Sequence, residues 1–202
     1  MLTLNPNDFS ERENYKLLTS SIIPRPVAFV TSVGEDGIVN GAPFSYFNIV
    51  SSNPPMISLS IQRRNGKIKD TARNIKQKKE FVVHIVDEEN VKKINETAAS
   101  LPAYESEITH AQLTLANSKI ISVPGITEAK VRFECTLKQT IELGNGEKVG
   151  TDLLIGNVVH YHIDPTIYKA SQIDPKSLGA VSRLAGSNYA TIGDLFSIDR
   201  PK

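Results

Sequence analysis

The sequence predicts a mainly β fold with peripheral helices, closed as an antiparallel barrel. Three observations carry that expectation. Apolar runs of strand length recur at residues 26–33, 38–43, 56–61, 81–86, 131–138 and 152–163, with few helical stretches between them. Turn signals, Gly34-Glu35-Asp36-Gly37 and Gly144-Asn145-Gly146, separate neighbouring runs as hairpins require. Val131, Phe133, Cys135 and Leu137 alternate with Arg132, Glu134, Thr136 and Lys138, the period of a strand with one face dry and one face wet. Closing such a set of strands on itself removes exposed edges.

Taken in order, residues 1–20 carry little pattern, although Asn7-Asp8 suits the cap of a short helix over one barrel end. Pro26–Val33 is β-rich, and its return strand 38–43 belongs at an edge because Pro43 cannot donate to a ladder. Pro54-Pro55 marks a sharp entry into Met56–Ile61. Asp70 or Thr71 is placed to cap a helix reaching about Lys79, with Ala72 and Ile75 on its inner face. After the strand 81–86, Asp87 caps a second helix expected to run to Ala99, with Val91, Ile94 and Ala98 inward. Residues 101–125 read as a mobile insertion with a short strand at 119–123. The strands 131–138 and 152–163 then pair, and an irregular tail follows Asp164-Pro165. No internal repeat or linker interrupts the chain.

Composition narrows function mostly by exclusion. The chain holds 23 basic and 22 acidic residues, so nothing in its charge suits nucleic acid or an anionic membrane. No apolar run approaches the roughly 20 residues of a membrane span, and Met1–Glu13 lacks a secretory pattern. A single cysteine, Cys135, excludes an internal disulfide and fits a reducing compartment, so a cytoplasmic location is expected. Cys135 shares its face with apolar neighbours and reads as a small core residue. His160 and His162 face the same way on one strand, but no Cys/His spacing completes a zinc set, and no metal site is expected. The sequence holds no Gly-x-Ser-x-Gly, dinucleotide-binding or phosphate-loop motif.

The chemistry is concentrated between Asn40 and Ile75. Phe44, Ser45, Tyr46, Phe47 and Asn48 crowd aromatic and short polar side chains into one segment. Arg63, Arg64 and Lys67 precede Lys69 and Thr71 at a helix start, where positive charge and free backbone N–H groups suit a phosphate. Flat aromatic ligands with a phosphate tail ask for this combination. On spacing alone, a solvated basic loop and two core phenylalanines account for the same residues. A barrel holding haem instead would want a buried axial histidine.

Several stretches resemble one family in its own order: Pro24-x-Pro26, Ala42-Pro43-Phe44-Ser45-Tyr46-Phe47-Asn48, Pro54-Pro55 and Lys69-Asp70-Thr71-x-x-Asn74-Ile75. Over roughly residues 20–190 the chain is similar to the flavin reductase-like family of FMN-binding split barrels. That resemblance implies a single split-barrel domain over 1–202, with its core at about 20–165 and the tail 166–202 packing over barrel or cofactor. It implies a homodimer with FMN near the subunit interface, and hydride transfer from NADH or NADPH to flavin or another small acceptor. The alternative is a flavoredoxin-like FMN protein fed with electrons by a redox partner. The family's phosphate element maps to Lys69 and Thr71, with Arg63 beside them. Phe44, Ser45, Tyr46, Phe47 and Asn48 would lie along the ring and ribityl chain, and Thr31 and Ser60 would add hydrogen bonds. Arg183, Gly186 and Tyr189 resemble an element that reaches back over the cofactor, with Ala185 where many relatives carry glycine. The flavin itself performs the electron transfer in that chemistry, so no catalytic side chain is named.

Overall fold

Ser10 and Glu13 set the start of the first helix. Ser10 Oγ accepts from the Glu13 N–H at 3.3 Å, while the Glu13 carboxylate accepts from the Ser10 N–H at 2.9 Å. In the computed structural model, which describes residues 1–99, 101–102, 105–146 and 148–201, helix α1 therefore spans Glu11–Ser21. The Asn7-Asp8 cap expected from sequence is corrected: Asn5 caps a single 3₁₀ turn at Pro6–Asp8, and the helix begins after it.

Seven strands form the central sheet: β1 Ala28–Val33, β2 Val39–Phe44, β3 Phe47–Ser52, β4 Pro55–Gln62, β5 Glu80–Ile85, β6 Val131–Asn145 and β7 Lys148–Ile163. Their order is β2-β1-β5-β6-β7-β4-β3, with every pairing antiparallel. The two edges, β2 and β3, are consecutive in the chain with only Ser45 and Tyr46 between them. A sheet whose opposite edges are joined by two residues must roll until those edges meet. The Tyr46 carbonyl then accepts from the Ser60 N–H on β4 at 2.8 Å. Pro43 faces Phe29 on the edge strand, where its missing donor costs least.

Helix α2 (Asp70–Lys78) plugs the barrel, burying Ala72 and Ile75 against Phe44, Leu59, Phe81 and Leu154. Its cap position is Lys69, not Asp70 or Thr71, and Asp70 instead pairs with Arg73 at 2.6 Å. Lys79 closes it in the left-handed region at φ +63°. Gly156 on β7 admits the Phe81 ring, since a Cβ there would sit 2.4 Å from that ring.

Outside the sheet a second cluster gathers Phe29, Val86, Ile94, Ile108, Ile126 and Val181. Helix α3 (Val91–Glu96) is shorter than expected: Thr97 is buried, its hydroxyl donates to the Ile94 carbonyl, and Ala98 is exposed. Among the described residues of 101–125, the insertion is packed. It contributes α4 (Glu107–His110) and a two-residue pairing of Leu115–Ala116 with Gly125–Ile126. The strand expected at 119–123 is absent, because the N–H groups of Lys119, Ile120 and Ile121 turn to the Glu134 carboxylate at 2.6–3.1 Å. Glu134, expected on the wet face of β6, is consequently buried at 0% exposure. Among the described residues no helix is long and apolar enough to cross a membrane.

His84 staples the two layers. Its Nε2 accepts from the Ile126 N–H at 2.9 Å, so Nδ1 carries the proton and donates to the Phe29 carbonyl at 3.0 Å. Burial pushes its pKa down from 6.5 to about 3. The folded chain keeps this ring neutral while the unfolded chain protonates it below about pH 6.5, so its contribution is full above that pH and declines below it. Urea unfolding at pH 7.5 and pH 5 is expected to differ by about 2 kcal/mol from this group. A His84→Gln chain with the same pH dependence as the parent would contradict the assignment.

Candidate functional site

Two adjoining cavities open along the Ala42–Tyr46 wall. The first, about 420 Å³, is lined by Phe44, Ser45, Tyr46, Ser60, Lys69, Arg183 and Tyr189, with Tyr15, Gln62 and Asn95 among the remaining wall residues. The second, about 330 Å³, shares Pro43, Phe44 and Lys69 with the first and adds Thr71, Asp70 and Arg64. Seven of the residues singled out from sequence therefore meet in one place, although they come from β2, the β2–β3 corner, β4, the start of α2 and the tail.

Each side chain is held there by its local structure. Lys69 occupies the cap position of α2 with its Nζ 5.6 Å from the centre of the Phe44 ring. Although the residue as a whole is exposed, partial desolvation of its ammonium, and then the charge of Arg64, lower its pKa. An anion in the second cavity would offset both effects. Burial raises the pKa of the Tyr46 hydroxyl, Tyr15 raises it further, and Arg25 opposes them. In the tail, Ser182–Arg183 pairs with both Arg25–Pro26 and Tyr189–Ala190. Arg183 lies 4.5 Å over the Tyr189 ring and donates to the Gly186 carbonyl, and Tyr189 Oη is 3.3 Å from Asn95 Oδ1. Gly186, at φ +63°, supplies the turn that folds the element back.

The other five residues are placed differently. Thr71 is 2% exposed and its hydroxyl donates to Asn40 Oδ1 at 2.8 Å, so it lines the second cavity without a free proton to offer. Phe47 and Asn48 lie on the opposite side of the corner, against a third cavity of about 390 Å³ with Ser45, Tyr46 and Ser60. Thr31 is corrected to a structural role: fully buried, its hydroxyl donates to the Pro124 carbonyl at 2.6 Å. Arg63 is corrected as well. Its guanidinium makes a two-pronged contact with the buried Asp152 at 2.8 Å and 2.8 Å, alongside Lys76 and Glu142. That hydrogen bond raises its pKa and lowers that of Asp152. Arg64, next along, reaches the cavity in its stead.

Sequence reasoning passed over Tyr15, Gln62, Asn95 and Arg25. Arg25 is 7% exposed and donates to the carbonyls of Thr19, Ile22 and Leu184, tying the end of α1 and the tail to the cavity wall. It stood inside the Pro24-x-Pro26 motif, which was the only signal available. Glu134, His160 and His162 also converge, with ligand atoms within 4.8 Å of one another. Both Glu134 oxygens already accept backbone N–H groups, and Oε1 also takes the His162 Nε2–H at 2.6 Å. Arg132 faces the other ring nitrogen at 3.5 Å. This cluster is a hydrogen-bonded clamp on the 119–121 segment. Cys135 is buried at 0% exposure and its thiol pKa is pushed up by burial, consistent with a core residue.

The model of the flavin reductase like domain matches residues 19–175, a span that contains the corner, Lys69 and the cavity walls apart from Tyr15 and the tail. The chain belongs to the flavin reductase-like family. An uncharacterised protein of Bacillus subtilis (strain 168) is 48% identical over 204 residues, covering 100% of both chains. Nitrilotriacetate monooxygenase component B from Bacillus cereus superposes with a TM-score of 0.97 at 56% identity over 98% of each chain. A chain with a split barrel domain from Shewanella frigidimarina NCIMB 400 superposes at 0.84 with 19% identity, covering 96% of each chain, a likeness of fold alone. The barrel rolled about α2 is this split-barrel fold. Its donor set fits a flavin: aromatic walls at Phe44, Tyr46 and Tyr189, hydroxyls at Ser45 and Ser60 for a polar ring edge, and a cation at the end where the second cavity begins.

Proposed function

We propose that the chain is a cytoplasmic, homodimeric, FMN-binding flavin reductase that takes hydride from NADH or NADPH. The observation that carries this reading is the position of Lys69, at the junction of an aromatic, hydroxyl-lined cavity and a second cavity at a helix start. Lys69 would hold the phosphate, Ser45 and Ser60 would orient the polar edge of the ring, and Arg183 with Tyr189 would cover the site and exclude water. Bound there, FMN supplies two-electron chemistry between a nicotinamide and an acceptor. The 56% identity to a monooxygenase component B favours a reductase whose reduced flavin serves a separate component.

The test is anaerobic mixing of the FMN-loaded protein with NADH and, separately, NADPH. The expected result is loss of the flavin band near 450 nm (about that wavelength from general cofactor chemistry) within seconds for at least one donor. Bleaching by dithionite but by neither nicotinamide would make the chain an electron relay instead.

A further inference from the structure

The tail beyond Ala190 leaves four large apolar side chains uncovered within seven residues. Ile192, Leu195, Phe196 and Ile198 are 40%, 55%, 84% and 81% exposed. No secondary structure and no buried residue occurs between 191 and 201. A second uncovered apolar face lies close to where this tail starts, because Ala190 pairs with Ser182, which pairs with Pro26. On that face Leu18 of α1 and Ile22 just after it are 56% and 60% exposed, and Ile49 and Val50 of β3 are 78% and 47% exposed. Between them lies the 390 Å³ cavity walled by Leu18, Ile22, Pro24, Pro26 and Phe47.

An extended segment of this length reaches roughly 35 Å, enough to fold back over its own α1, yet tail and face both stand open on the same chain. Each exposes on the order of 500 Å² of apolar surface, so an exchange that covers the tail and the face of both copies buries on the order of 1,000 Å² per partner, above the roughly 800 Å² per partner of a stable interface. A second copy supplies both halves at once: a tail for the face and a face for the tail.

We propose that residues 191–201 of each protomer cross to its two-fold partner and lie on the α1–β3 face, with Leu195 and Phe196 in the cavity between α1 and Pro24–Pro26. The proposal rests on the dimer proposed above. It has a consequence for the flavin site, since that cavity is also walled by Ser45, Tyr46 and Ser60. The partner's tail then backs, from the far side, the corner whose near side faces the candidate flavin cavity.

Cys135 is fully buried, which leaves engineered cysteines as the reactive thiols. The chain carrying Leu18→Cys and Phe196→Cys is oxidised mildly, then analysed by non-reducing electrophoresis, peptide mass mapping and light scattering. The expected product is a covalent dimer with an 18–196 bridge between chains. An 18–196 bridge within a monomer, or a dimer bridged 18–18 or 196–196, overturns the exchange. Free thiols in a dimer overturn the exchange and leave the dimer standing, whereas a monomer by light scattering removes both. As an independent arm, truncation after Thr191 is expected to raise the dimer dissociation constant by about tenfold or more, the loss of about 1.4 kcal/mol or more. A truncated chain that dimerises as tightly as the full one overturns the proposal.

Discussion

Glu134→Ala is expected to cost about 3–5 kcal/mol of folding stability and on the order of 10 °C in melting temperature. The carboxylate accepts the N–H groups of Lys119, Ile120 and Ile121 and the Nε2–H of His162, all at an exposure of 0% for the residue itself. Removing it strands one buried and three partly buried donors at once, and leaves the 119–121 segment anchored mainly through the neighbouring Ser122, whose N–H and hydroxyl donate to Glu80 on β5. Burial alone would raise the pKa of this carboxyl, but the three backbone donors and His162 outweigh it and hold it at about 2, against an ordinary 4.5. Its contribution is therefore complete above about pH 4.5 and is lost as pH falls toward 2. Thermal unfolding of the parent and of Glu134→Gln should differ most at neutral pH and converge in acid. A difference that stays constant down to pH 2.5 would show that ionisation of Glu134 is not the source. Flavin affinity of the folded variant should change little, because Glu134 lines neither cavity of the candidate site.

The second large effect is expected from Lys69→Glu. Truncation to alanine removes one charge-assisted contact to a phosphate, about 1.5–3 kcal/mol or one to two decades in affinity. Reversing the charge adds repulsion, and a loss of about 3–4 kcal/mol, two to three decades, is expected. Lys69 sits at the cap position of α2 without capping it through its side chain, so neither change should unfold the helix. Lys67, exposed on the preceding loop, is the control for net charge, and Lys67→Glu should weaken FMN binding only slightly. Equilibrium dialysis of the three variants checks the ranking. Equal losses from positions 67 and 69 would mean that general electrostatics, not a seated phosphate, governs binding.

Much of the barrel was legible because buried strands and α2 carry strong periodicity, and hairpin turns carry Gly pairs. The failures have specific causes. β3 went unassigned because an edge strand with Asn48, Ser51 and Ser52 among exposed Ile49 and Val50 has neither an alternating nor a buried pattern. A second copy covering that edge would explain why apolar residues stand there at all. Ile120-Ile121-Ser122-Val123 looks like a strand locally, yet its backbone donors are claimed by a carboxylate more than ten residues on. That same capture turned Glu134 from a wet-face residue into a buried one. Arg63 and Arg64 are adjacent and chemically alike; only the position of Asp152 across the β4–β7 pairing decides that Arg63 is the one bound to that carboxylate.

At the candidate site, the segment 44–46 and Lys69 could be named because they are close in sequence and dense in chemistry. Tyr15, Arg25 and Asn95 could not, since each arrives from a separate segment and carries no local motif. The tail residues Arg183 and Tyr189 came only through family resemblance, and the structure places both on the cavity wall.

Seating of a flavin in the cavity at the β2–β3 corner, with its phosphate end at Lys69, underlies the proposed chemistry. Fluorescence titration of FMN into cofactor-free protein, run in parallel on the parent and Lys69→Glu, tests it most directly. The expected result is one FMN per chain for the parent and binding weakened by about two decades or more for the variant. A parent that takes up no FMN, or a variant that binds it as tightly as the parent, would contradict it.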